Sequence, residues 1–250
     1  TIVFMTLRLN KCNQFYLLFN FVIKLLNKMY LGIDGCKYGW ICAQLKNEAI
    51  SLKLIKHINE VKNLNSKLIF IDIPIGLGDQ FNTRTVDFKL RKLLSKKRKS
   101  SVFTPPIREA LEAPTYQLGN QINKSISGKG ISIQAWNIGH KIKEVNQFLS
   151  QSHLYQKKMS ESHPELCFEL LNNSPLHHSK KTLLGMEERI RIINNYINIS
   201  FQEIKDFAKE CKSDRAKMDD IIDAVVLSLS AMRWEMSGKR QITQEIGKDT

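Results

Sequence analysis

The sequence predicts an α/β domain: a mixed sheet with helices on both of its faces. Three observations carry that expectation. Strand signals, either period-two alternation or short apolar runs, crowd into residues 29–72. Helical periodicity dominates 106–150 and again almost everything after 164. A weaker strand signal at 155–162 interrupts the helices and returns the chain to the sheet. The order is three meander strands, helix, strand, helices, strand, helices, and helices layered on a sheet satisfy it.

Taken in order, "LGIDG" and "WICAQLK" form a hairpin, and "AISLKLIK" (49–56) adds a third strand. Residues 57–65 suit a short helix. "KLIFIDIPIGLG" (67–78) is a buried strand that runs into Asp72 and then a Pro/Gly loop, the pattern of a strand ending at a functional edge. A helix over 83–95 leads into the basic loop "SKKRKSSVFTPP". The stretch "SIQAWNIGHKIKEVNQFL" is amphipathic, with Ile133, Trp136, Ile142, Val145 and Leu149 facing inward. Pro164 opens the next helix in its first turn. Further helices are expected at 181–196, 201–211 and 216–236. No internal repeat or linker divides 29–250, so one domain is expected, with 106–150 as a helical insertion.

The chain has 250 residues and a net charge of +14, a balance that attracts nucleic acid or acidic membranes. Its richness in Lys, Asn and Ile also matches what AT-rich coding produces. Residue 1 is Thr, and Met29 stands just before the first convincing strand. Residues 1–28 are therefore read as an upstream extension from a mis-called start, with a membrane-surface anchor as the other reading. Removing their four basic residues leaves 34 basic against 24 acidic, a net +10. The apolar stretch at 15–26 is too short and too interrupted to span a bilayer, so the core domain is expected to have no membrane partner. Five scattered cysteines without a CxxC pair fit reduced thiols and a cytoplasmic setting.

The chemistry-bearing residues are acids in apolar surroundings. Asp34 ends the first strand, Asp72 the next buried one, and Glu161 the weak one. Asp220 and Asp223 lie three apart on one face of an otherwise apolar helix. Buried carboxylates need a partner. They either pair with Lys or Arg and cap helices, or gather round a hard divalent cation such as Mg²⁺ or Mn²⁺. Two such ions clamp the attacking and leaving oxygens of a phosphoryl transfer. Ser100 and Ser101 after "KKRK" suit either a phosphate-binding turn or a solvated basic loop. His163 suits a helix cap, and also metal ligation or proton transfer. Gly32, Gly35 and Gly39 form neither a dinucleotide fingerprint nor a P-loop.

Nine segments in order carry a resemblance: "GIDGCKYGW" (32–40), "IDIPIGL" (71–77), "RTVDFKLRK" (84–92), "SSVFTPP" (100–106), "GKGISIQAW" (128–136), "KIKEV" (141–145), "ESHPELCFELL" (161–171), "SKKTLLGMEER" (179–189) and "DDIIDAVVLSLSA" (219–231). Over about 30–235 the chain resembles the domain-of-unknown-function family 429, described as predicted nucleases of the ribonuclease H-like fold. The resemblance implies a five-stranded mixed sheet, its first three strands antiparallel, flanked by helices over 29–240. It implies a metal-dependent nuclease acting on RNA or DNA. Asp34, Asp72 and Asp223 would hold Mg²⁺ or Mn²⁺, with Asp220 completing the shell and Glu161 as a further catalytic acid. Arg84, Arg91, Ser100, Ser101 and Lys129 would contact substrate phosphates. The chain departs from the family pattern at Asn146, where an acid is expected. The alternatives are a non-catalytic module binding nucleic acid or a protein partner, and an actin-like phosphotransferase. The latter would need a duplicated half and glycine-rich phosphate turns.

Overall fold

The computed structural model describes residues 28–212 and 215–237, so the extension read at 1–28 lies, apart from Lys28, outside the described residues. Strands β1 (Tyr30–Cys36), β2 (Gly39–Lys46) and β3 (Ala49–Ile55) form an antiparallel meander. Strand β4 (Leu68–Ile71) runs parallel to β1, and β5 (Met159–Glu161) parallel to β4, giving the order β3-β2-β1-β4-β5. The mixed five-stranded sheet flanked by helices is thus present, with its first three strands antiparallel as expected. The β2–β3 turn is two residues long, and Asn47 and Glu48 both take positive φ (52° and 64°), as a type I′ hairpin requires.

Period-two alternation sorts the strand side chains into two cores. Leu31, Ile33, Cys42, Ile69 and Ile71 face one side. There they pack on the 3-10 helix Ile58–Leu64, on α5 (Gly139–Ser150) and on Tyr155 of α6 (His153–Lys158). Tyr30, Ile41, Ala43, Leu45 and Phe70 face the other, against α7 (Pro164–Asn172), α8 (Leu183–Asn194), α9 (Phe201–Glu210) and α10 (Met218–Met236). Helix α10 lies directly across β1, β2 and β4. Gly32 makes this possible: a Cβ there would sit 2.0 Å from the Ala224 carbonyl oxygen and 2.3 Å from the Ser228 nitrogen. The remaining helices are α1 (Val86–Leu93), α2 (Arg108–Leu111), α3 (Tyr116–Ser127) and α4 (Ile133–Asn137).

Three expectations are corrected. The region 106–150 is not one insertion. Ile107, Ala110, Ile131 and Ala135 form a small core of their own, but α5 belongs to the main core through Ile142, Val145, Phe148 and Leu149. Glu144 of α5 also accepts from the Trp40 indole (3.0 Å) and the Ile58 amide (2.7 Å), tying the helix to β2. Ile133 is 55% exposed rather than inward, because the helix breaks at Ile138 and its two pieces do not share one apolar stripe. At 155–162 only Met159–Glu161 is strand; the preceding residues are helical, with Tyr155 packed on Phe148. Cys36, Cys42, Cys167 and Cys211 are buried free thiols. Among the described residues no helix is long and apolar enough to cross a membrane.

Candidate functional site

The two-residue period that puts Leu31 and Ile33 on one face puts Gly32 and Asp34 on the other, towards α10. The parallel register Ile33↔Ile71 continues with the Asp72 amide donating to the Ile33 carbonyl (3.0 Å), which sets Asp72 beside Asp34. Asp220 and Asp223 sit in the first two turns of α10, the end that passes over these strand ends. Three separate elements therefore bring four carboxylates together.

Their electrostatics show the convergence. Burial pushes the Asp34 carboxyl well above the ordinary range, and Asp72, Asp223 and Asp220 push it further. Burial raises Asp72, Asp220 and Asp223 to about 6 each. One cation opposes them all. Lys180 lies in the loop before α8, and its Nζ donates to Asp223 Oδ2 at 2.5 Å. Burial alone would lower its ammonium, but Asp223, Asp34 and Asp72 hold it well above the ordinary lysine value. Asp34 Oδ1 accepts from the Gly35 amide (2.8 Å), while Asp223 Oδ1 is buried with no hydrogen-bond partner.

All of these groups but buried Asp223 open onto a cleft of about 660 Å³. Asp34, Asp72, Asp220 and Lys180 line it, together with Lys141 and His163. Exposed Lys37, Arg215 and Lys217 also line it, so an acidic floor meets basic side chains of the rim. Lys141 is buried, with its Nζ 2.6 Å from the Gly39 carbonyl and 4.3 Å from the Trp40 ring centroid. Burial lowers its ammonium. His163 caps α7; burial lowers its imidazole, its Nε2 meets Ser101 Oγ at 3.3 Å, and its Nδ1 has no partner.

Other expected site residues are placed differently. Glu161 pairs in register with Ile71, on the opposite face from the aspartates. It borders the cleft but is bound there to Arg84 (2.5 Å) and the Ile75 amide (2.8 Å). Burial raises its carboxyl to about 7, against the pull of Arg84. Arg84 is not a free phosphate contact: its side chain is 3% exposed, pairs with Asp87 and Glu161, and donates to the Ile75 and Gly76 carbonyls. It pins the loop after β4. Arg91 is committed to the Val102 carbonyl (2.7 Å) and so shapes the next loop. Lys129 and Ser100 are exposed and stand apart from the residues lining the cleft, whereas Ser101 lines it. The basic loop is anchored through Arg98, which pairs with Glu165 (3.4 Å).

Lys141 and Lys180 escaped the sequence reading. Lys141 shares a helix face with Val145 and Phe148, a spacing that signals a buried stem. Lys180 carries no local signal, since only the topology brings its loop to Asp223.

Oxygen-rich carboxylates suit a hard divalent cation, and the orphaned Asp223 Oδ1 is an acceptor awaiting a partner. As placed, though, no three His, Cys, Asp or Glu side chains among the described residues are grouped closely enough to hold an ion. An ion would have to draw the acids in.

A family model described as Protein of unknown function (DUF429) matches residues 32–246. The chain belongs to this family. No curated protein and no solved structure matches it. For this DUF429 member the match runs from Gly32 within β1 through α10, and so takes in Asp34, Asp72, Asp220 and Asp223.

Proposed function

We propose that this chain is a divalent-cation-dependent nuclease of ribonuclease H-like fold, hydrolysing phosphodiester bonds of RNA or DNA. The carrying observation is the cleft floor, where Asp34, Asp72 and Asp220 arrive from β1, β4 and α10 beneath basic rim residues, with Asp223 buried beside them. The sheet order supports the reading, being that of a five-stranded mixed sheet with a helix from the chain's end laid over β1.

Asp34, Asp72 and Asp223 would hold the cation, Mg²⁺ or Mn²⁺. When bound, it supplies Lewis-acid activation of water and neutralises charge on the phosphate. The chain's own residues do the rest. Lys37, Arg215 and Lys217 on the rim attract the phosphate backbone and orient it over the floor. Asp220, held near one end of α10, adds negative charge that favours a cation on the floor. His163, kept neutral by burial, lines the cleft with its Nε2 beside Ser101 Oγ, and a neutral imidazole can accept a proton.

The Lys180–Asp223 ion pair favours one other reading. A lysine that already compensates the acids fits a non-catalytic module binding nucleic acid or a protein partner. Incubation of the purified chain with RNA, single-stranded, duplex and branched DNA in Mn²⁺ separates the two. The nuclease reading expects metal-dependent cleavage that Asp34→Asn abolishes. Nucleic-acid binding indifferent to Mn²⁺ and to Asp34, with no cleavage, would replace it with the module.

A further inference from the structure

An aromatic ring stands among the rim cations. The β1–β2 hairpin closes at the pair Cys36↔Gly39, so Lys37 and Tyr38 form its tip. Tyr38 is 44% exposed, with Lys37 Nζ 5.2 Å and Arg215 Cζ 5.0 Å from its ring centroid. Both cations are exposed and line the cleft. The tip is braced from behind. Gly39 takes a φ of 156°, and a Cβ there would sit 2.1 Å from the Ile55 carbonyl oxygen, so β3 closes directly on it. Buried Lys141 donates from Nζ to the Gly39 carbonyl (2.6 Å) and lies over the Trp40 ring, which ties the tip to α5. A braced tip presents its ring at little cost in conformational freedom.

The cations alone would serve any phosphate backbone, but the ring adds a contact that phosphates do not need. A tyrosine face stacks on a nucleobase, and does so with every base. The exposed cation–π contacts now on the ring are the weaker interaction, so a base can displace them and release Lys37 and Arg215 to the neighbouring phosphates. In a duplex the faces of each base are covered by its stacked neighbours, and only an unpaired base is free to meet such a ring. Resting on the reading of this cleft as a nuclease site, we propose that Tyr38 is a stacking platform for an unpaired base, and that the cleft therefore takes a single strand of RNA or DNA, with Lys37 and Arg215 on the phosphates beside that base. Asp34 stands four residues before Tyr38 in the same hairpin, so the base on the ring and the phosphate over the floor lie close together along one strand.

Fluorescence anisotropy of the full chain tests this, in EDTA at one fixed salt concentration, with labelled oligo-dT, oligo-U and a blunt duplex of equal length. EDTA removes cleavage from the readout. The wild type should bind a single strand more tightly than the duplex, and the tighter of dT and U identifies the sugar. Tyr38→Ala should lose about 5- to 150-fold in affinity for the strand and stay within about twofold of wild type on the duplex. Tyr38→Phe keeps the ring and should bind like wild type. Equal losses on strand and duplex, no loss on the strand, or a wild type that prefers the duplex would overturn the proposal and leave the nuclease reading standing. A strand preference that depends on Tyr38, in a chain that cuts nothing in Mn²⁺, would support the platform and remove the nuclease. No binding of any oligonucleotide would overturn both. Should Tyr38→Ala fail to fold, Tyr38→Leu keeps apolar bulk without a π face and carries the same expectation.

Discussion

Replacing Asp72 by Asn should stabilise the protein, although it removes a residue assigned to the site. The carboxyl of Asp72 titrates at about 6 in the folded state, against 3.8 for an unperturbed aspartate. Burial is the main cause, and the attraction of Lys180 only partly offsets it. At about 1.4 kcal/mol per pH unit, the rise of about two units corresponds to about 3 kcal/mol of penalty once the group is ionised. Asp72 is half-buried and its carboxyl meets water in the cleft, so about 2 kcal/mol is the working figure. The sign follows from proton counting. Between pH 3.8 and about 6 the folded state binds more protons than the unfolded state, so stability falls as pH rises through that window and stays reduced above it. Asn is nearly isosteric and never ionises. In a chain of this size about 2 kcal/mol moves the melting temperature by about 4–8 °C. Thermal unfolding followed by circular dichroism, in metal-free buffer near pH 7.5, should show Asp72→Asn melting higher by that amount. Near pH 4 the difference should vanish. Equal melting temperatures at both pH values, or a variant less stable at pH 7.5, would refute the claim that burial makes the ionised Asp72 carboxylate costly.

Other consequences follow from the same geometry. Arg84→Met takes from half-buried Glu161 its paired cation, and urea unfolding should show a loss of about 3–5 kcal/mol; a loss below about 1 kcal/mol with weakened nucleic-acid binding would return Arg84 to the phosphate role. Gly32→Ala forces a Cβ to within 2.0 Å of the Ala224 carbonyl, so α10 must shift. The cost should reach or exceed the usual overpacking range of about 1–3 kcal/mol, read by unfolding or by loss of soluble protein. Mn²⁺ affinity should rise as pH goes from 5 to 7, because Asp72 and Asp223, each pushed up to about 6, must lose protons to ligate; calorimetry at several pH values reads this, and a flat profile would contradict it.

Much of the fold was legible because period and burial coincide. The alternation in "YLGIDGC" puts Leu31 and Ile33 into one core and Asp34 with Gly32 into the other layer, and α10, apolar all round, had to be a buried helix. The four aspartates of β1, β4 and α10 could be picked out for the same reason, since each breaks an apolar run. Glu161 looked equivalent but was not. Its place on the opposite face depends on the β5 register, which three residues of strand cannot announce. Arg84 read as a surface cation because its partner Glu161 lies 77 residues away. Lys180 was invisible for a related physical reason: it meets Asp223 through tertiary contact alone, whereas Lys141, on the buried face of α5, reaches the Gly39 carbonyl and the Trp40 ring. The break at Ile138, which exposes Ile133, falls between two separate cores and just before Gly139, where a Cβ would sit 2.6 Å from Leu111 Cδ1.

The most direct test of the account is a crystal of the full chain soaked in Mn²⁺, with the anomalous signal measured. The account predicts a peak on the cleft floor within about 2.0–2.5 Å of oxygens from Asp34 and Asp72, with Asp223 turned to the ion and Lys180 still beside it. A floor without a peak, and the Lys180–Asp223 pair unchanged, would contradict the claim that Asp34, Asp72 and Asp223 are a cation site.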